Sequence, residues 1–165
     1  MARTWRRRSS RRLSRVPPAV ALDTSKIGKT YPSFEYEVGT EKIREFARAV
    51  GETEPVYQDR EAARSAGFRD VVAPPMFAVV YSAGAMGPAI LDPELGINLM
   101  MMLHGSQEFA WSEPVCAGDT ITTSAEVKDM YEKDGRQFFV FESVSRNQDG
   151  AEVVRGTWTN IVRGG

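Results

Sequence analysis

Apolar residues recur along this chain at two different spacings, and the spacing changes past its middle. Over residues 41–50, Ile43, Phe46, Ala47 and Val50 share one side of a 3.6-residue helix, with Thr40 as a candidate N-cap and Gly51 as a stop. The pattern predicts an amphipathic helix. Residues 59–67 predict a short second helix with Ala62, Ala63 and Ala66 on one side. The longest uncharged run follows, over residues 71–91, long enough to cross a bilayer on length alone. Pro74, Pro75 and Pro88 interrupt it, and Gly84 and Gly87 lie inside it, which argues against a membrane span. A helix begun after Pro75 carries Met76, Phe77, Val79, Val80, Tyr81, Ala83 and Met86, apolar on nearly every side, and belongs inside a protein core.

After Gly105 the period falls to two. Ile121, Thr123, Ala125 and Val127 alternate over 120–127, and 136–145 is a β-rich run around Phe138, Phe139, Val140 and Phe141. A turn at Asn147, Gln148, Asp149 and Gly150 leads into a third strand over 153–162 with Trp158 and Ile161. In this reading helices come first and strands last, with no internal repeat. One apolar helix followed by at least three long antiparallel strands predicts an α+β hot-dog fold, a curved antiparallel sheet wrapped around a long central helix. Only a strongly curved sheet covers such a helix on most sides.

Composition narrows the picture. At 165 residues with 42% hydrophobic and 26% charged residues, the chain suits one globular domain. A single cysteine, Cys116, cannot form an internal disulfide, which points to a cytoplasmic setting. A single histidine, His104, excludes any metal or catalytic site built on two histidines within one chain. No metal and no cofactor is expected. Seven arginines precede the first acid, Asp23; the remaining 14 basic residues face all 22 acidic ones, a net charge of −8. That acidic body argues against a nucleic-acid partner. The division predicted is a disordered basic tail over residues 1–22 and a folded domain over 23–165. The Arg- and Ser-rich tail also has the look of an organellar transit peptide or a polyanion-binding arm, and it carries no apolar stretch of the secretory type.

Short motifs then bring a family into view. Gly51-Glu52-Thr53-Glu54-Pro55-Val56-Tyr57-Gln58-Asp59 resembles the hydratase motif of the MaoC-like dehydratases, which runs glycine, aspartate, any residue, asparagine, proline, any residue, histidine, any residue, aspartate; Gly51, Pro55 and Asp59 match. Gly67-Phe68 and Ala73-Pro74-Pro75-Met76-Phe77 resemble that family's lead into its central helix. His104-Gly105-Ser106-Gln107-Glu108-Phe109, Glu113-Pro114-Val115 and Ala117-Gly118-Asp119-Thr120 resemble its entry into the long strands. Together these blocks resemble an N-terminal-type MaoC-like domain, including small actinobacterial members of unassigned role. The resemblance implies reversible loss of water from a (3R)-hydroxyacyl thioester on CoA or acyl carrier protein, with an aspartate–histidine pair handling the water.

This chain departs from the pattern at that pair. Glu52 stands at the aspartate position, Glu54 at the asparagine position and Tyr57 at the histidine position, and a phenol of pKa near 10 is a poor base at neutral pH. Glu52 and Tyr57 are therefore candidate catalytic residues at degenerate positions, expected to be inactive. Phe77, Tyr81, His104, Gly105 and Gln107 are the candidate substrate-binding residues. For each a plainer role stands beside the functional one: Glu52 and Glu54 as solvated loop acids, Tyr57 as a packed ring, Phe77 and Tyr81 as core, His104 and Gln107 as partners of backbone groups, and Met100, Met101 and Met102 as core filling. Some dehydratases of this family split the work between a half that bears the pair and a half that shapes the acyl channel. The expected function is the second: an acyl-CoA- or acyl-ACP-binding subunit of a heteromeric (3R)-hydroxyacyl dehydratase or enoyl hydratase, paired with a catalytic MaoC-like subunit or as a homodimer. The rivals are a self-sufficient homodimeric hydratase or thioesterase using Glu52, and a non-enzymatic acyl-CoA sensor.

Overall fold

The computed structural model describes residues 22–163. The expected tail lies outside them, apart from Leu22, which packs partly buried against the core. Five strands form one antiparallel sheet: β1 (Thr30–Glu37), β2 (Met102–Trp111), β3 (Thr120–Lys133), β4 (Arg136–Arg146) and β5 (Glu152–Arg163), in the order β1-β3-β4-β5-β2. Three helices precede β2: α1 (Thr40–Val50), α2 (Arg60–Ser65) and α3 (Ala78–Ile90). The sheet curls around α3, which lies chiefly over β1, β3 and β4. This is the hot-dog arrangement.

Local chemistry explains the element ends. Gly51 closes α1 in the left-handed region at φ 78°, where its freedom from a Cβ is needed, and its N–H returns to the last turn. Asp59 caps α2 by accepting the Ala62 N–H at 2.8 Å. Asp134 and Gly135, at φ 52° and 68°, form the two-residue turn that joins β3 to β4. A 3-10 turn over Pro75–Phe77 starts α3, with Pro74 as its cap and Pro75 supplying the fixed φ that suits the first position.

Three expectations need correction. Thr40 is not the N-cap of α1 but its first residue; the cap is Gly39, whose lack of a side chain leaves that end without a side-chain cap. β1 was not expected: helices do not come first, because this strand precedes α1. A bulge between Tyr31 and Phe34 shifts its register on β3 and breaks the alternation by which a strand is read. The methionines are not core filling as a group either, since Met100 is 91% exposed and Met101 37%. They sit on a 3-10 turn (Leu99–Met101) just before the sheet's edge strand, beyond the cover of α3.

The core falls into two main clusters: Ile43, Phe77, Tyr81 and Ile121 at the start of α3, and Ala85, Val127, Phe139 and Phe141 farther along it, with Phe109 packed against both. Gly84 lets the Phe34 ring lie directly on α3, where a Cβ would meet it at 2.4 Å. No helix among the described residues is long and apolar enough to cross a membrane.

Candidate functional site

Between α1 and α2 the motif segment folds into a 3-10 turn, Pro55–Tyr57. Arg44 Nε holds this turn to α1 by donating to the Gln58 carbonyl at 2.8 Å, and the Val72 N–H donates to the Val56 carbonyl at 3.0 Å. Residues 71–73 therefore run between two partners. On their other side Ala73 N–H donates to the Val115 carbonyl and Ala117 N–H to the Val71 carbonyl, both at 2.8 Å, with Val72 bridged to Cys116. The three segments are layered in front of the start of α3, and they enclose a cavity.

That cavity measures about 430 Å³. Its walls are largely apolar: Val56, Tyr57, Phe68, Val72 and Tyr81, with Trp111 from the end of β2 and Val115 from the loop that follows it. Glu113 and Ser112 supply polar groups beside them. A second, more polar hollow of about 350 Å³ shares the Phe68–Glu113–Pro114 ridge and is lined by Arg69 and Asp149. The loop forming the ridge is fixed by Asp119, whose carboxylate is fully buried. It accepts the Cys116 N–H at 2.8 Å and Gln148 Nε2 at 3.1 Å and pairs with Arg69. A buried carboxyl group with three partners is costly to disturb.

Two rows of rings meet at this cavity. On the helix side Phe77 touches Tyr36, Phe46 and Tyr81 with centroids 6.2, 5.4 and 6.1 Å away. On the sheet side His104 packs edge-on to Trp158 at 6.2 Å, Trp158 to Phe109 at 5.8 Å, and Phe109 to Trp111 at 5.8 Å. Tyr81 ends the first row and Trp111 the second.

The residues singled out in the sequence thus fall in different places. Tyr57 and Tyr81 line the cavity. Phe77 is fully buried behind Tyr81 and does not reach the wall. Glu52 is exposed in the loop after α1 and does not line the cavity. His104 and Gly105 lie exposed on the edge strand at a bulge, where Gly105 leaves room for Ile161. Gln107, also on β2, has its Nε2 buried without a hydrogen-bond partner. Sequence reasoning missed Trp111, Val56, Phe68 and Glu113 as wall residues; their only signal was membership in, or closeness to, the motif blocks.

The electrostatics fix what Tyr57 does. Burial pushes its phenol pKa up, and the nearby Glu52 and Glu54 carboxylates push it further the same way. A phenol held up in this way stays protonated at neutral pH and is not a base. Burial likewise raises the Tyr81 phenol. The cavity therefore offers apolar walls and hydroxyl donors.

A family model described as "FAS1-like, dehydratase domain region" matches residues 25–155. The chain belongs to that dehydratase-region family. Among its relatives, a UPF0336 protein of Streptomyces avermitilis is 41% identical over 145 residues, covering 87% of this chain and 97% of its own. Of solved structures, a MaoC-like dehydratase superposes with a TM-score of 0.77 at 25% identity over 85% of this chain. This chain spans less than half of that protein, 43%. The C-terminally truncated HadBC (3R-hydroxyacyl-ACP dehydratase) complex from Mycobacterium tuberculosis gives a TM-score of 0.73 at 27% identity, covering 85% of this chain and 99% of the matched one. The family match takes in the motif segment, the ridge and most of the sheet, so the cavity belongs to the part the family shares.

Proposed function

We propose that this chain is the acyl-thioester-binding subunit of a heteromeric (3R)-hydroxyacyl dehydratase or enoyl hydratase, acting on acyl-CoA or acyl-ACP in the cytoplasm, with a catalytic MaoC-like subunit as its partner. The observation that supports the reading is a largely apolar cavity in which the family's aspartate–histidine pair is replaced. Tyr57 replaces the family's histidine inside it with a phenol that burial and two carboxylates keep protonated. Glu52 replaces the aspartate and stays in solvent. With the family's aspartate–histidine pair replaced, the partner supplies the proton transfer in this reading, and Glu113, the carboxylate in the cavity lining, serves binding.

Within this reading the acyl chain lies against Tyr81, with Phe77 fixing that ring from behind, and Tyr57 donates a hydrogen bond to the ligand. His104, Gly105 and Gln107 lie outside the cavity lining, on the edge strand whose open backbone edge is where the partner subunit adds. The resemblance to a structure named as a complex supports a two-subunit assembly. In the test, the chain is purified alone and after co-expression with a catalytic MaoC-like subunit, and hydration of crotonyl-CoA is followed. The chain alone is inactive and the complex active, and Glu52→Gln leaves the complex within a few-fold of wild type. Activity of the isolated chain, lost by roughly a hundred- to ten-thousandfold in Glu52→Gln, would overturn the proposal in favour of a self-sufficient enzyme.

A further inference from the structure

Tyr81 and Trp111 both line the cavity, and they are held in different ways. Tyr81 is 2% exposed, on a core helix, with Phe77 behind it. Trp111 is 50% exposed, at the last position of the edge strand, opposite Val154 of β5. It is tied across the cavity by one bond: its indole N–H donates to the Pro75 carbonyl at 2.8 Å, a contact between residues 36 apart in sequence. Trp111 and Pro75 both line the cavity, so this bond joins its sheet-side wall to the turn that begins α3.

We propose that Trp111 is the specificity-determining residue of this cavity, its latched indole setting the length of acyl chain that the cavity accepts. The inference rests on the acyl-thioester reading above. An apolar cavity selects chain length only through a wall that the next methylene would strike, and each accommodated methylene changes affinity about tenfold or more. Val72, Tyr81 and Val115 are buried wall residues packed into the core; yielding at any of them disturbs close-packed neighbours. Among the aromatic wall residues Trp111 is the exposed one, and a single hydrogen bond tethers its indole. Behind it the inward face of β2 continues through Phe109, an apolar surface in ring contact with it, so removing the indole lengthens the cavity along an apolar path. The Pro75 carbonyl released by the change lies beside solvent and is rehydrated at small cost.

The test measures binding of butyryl-, octanoyl- and palmitoyl-pantetheine to the full-length chain by calorimetry, for wild type, Trp111→Ala and Trp111→Phe. Trp111→Ala raises the palmitoyl-to-butyryl affinity ratio by roughly tenfold or more. Trp111→Phe keeps the ring and loses the tether, and moves the ratio the same way by less. Should Trp111→Ala fail to fold, Trp111→Phe and Trp111→Leu carry the same ratio. An unchanged ratio, or a loss uniform across the three lengths, overturns the role of Trp111 while the acyl reading stands. If wild type binds none of the three, alone or with a catalytic MaoC-like subunit, the acyl reading itself fails, and this inference with it.

Discussion

The inward face of the sheet has two unequal halves. Under α3, β3 and β4 present Ile121, Ala125, Val127, Phe139 and Phe141, all buried, and even their polar neighbours are paired. The Thr123 and Ser145 hydroxyls are bonded at 2.8 Å, and Ser143 Oγ accepts the Trp158 indole N–H at 2.8 Å. Beyond α3, the inward row of β2 is Met102, His104, Gln107, Phe109 and Trp111, none of them buried and one, Gln107, with a buried amide nitrogen that finds no partner. Both halves share one sheet and one alternation of side chains. The difference is where the helix lies. A helix covers only part of a five-stranded sheet, so the covered part holds the fold together and the uncovered part is left for ligand or partner.

Three substitutions bear on that contrast. Phe139→Ala removes a fully buried ring from the covered half and lowers unfolding free energy by about 3–5 kcal/mol in urea melts; a loss under about 1 kcal/mol would mean the two halves carry the fold equally. Gln107→Leu removes the orphaned amide from the uncovered half and raises stability by about 1 kcal/mol, because the unpaired group disappears with its desolvation cost. The same change weakens ligand or partner binding if that amide is meant for either. A destabilised Gln107→Leu would show the amide is satisfied in solution and the contrast overstated.

The smallest effect concerns the clamp that holds β1 to the end of α3. Asp92 accepts hydrogen bonds from Lys29 and Tyr31, the latter at 2.8 Å, and Lys29 holds its carboxyl down to about 2. A depressed folded pKa means stability that is full above the unfolded value near 3.9 and is lost as pH falls toward 2. Asp92→Asn therefore costs under about 1 kcal/mol at pH 7, given a Lys29 side chain 31% exposed, and flattens the acid limb of the stability curve between about pH 4 and pH 2. An unchanged acid limb would remove Asp92 from the account of how the covered half is closed.

Much of the framework was legible because its signals are local. The 3.6 spacing of Ile43, Phe46 and Ala47, the alanine side of the segment from Asp59 and the all-round apolarity of the run after Pro75 each act within a few residues, and helices form in all three segments. Strand limits were less legible, for one repeated reason. Bulges interrupt the alternation at Tyr31/Phe34 and at Val127/Asp129, hiding β1 altogether and concealing that β3 runs on to Lys133. Within the motif, the sequence alone determined that the histidine and aspartate are replaced, since residue identity needs no coordinates.

The tertiary structure decided what those replacements face. Tyr57 and Glu52 are five positions apart, yet one lines the cavity and the other lies in solvent, because the 3-10 turn at Pro55 points them into different surroundings. Trp111 meets Pro75 across 36 residues, and Val72 stands between Val56 and Cys116, contacts that arise only when the sheet has curled and α3 has docked. Periodicity encodes which side of an element is apolar; it does not encode which strand the helix leaves uncovered. That is settled by strand order and register, through pairings such as Met102 with Val162 and Trp111 with Val154, distant in sequence and fixed only by the packing of the whole.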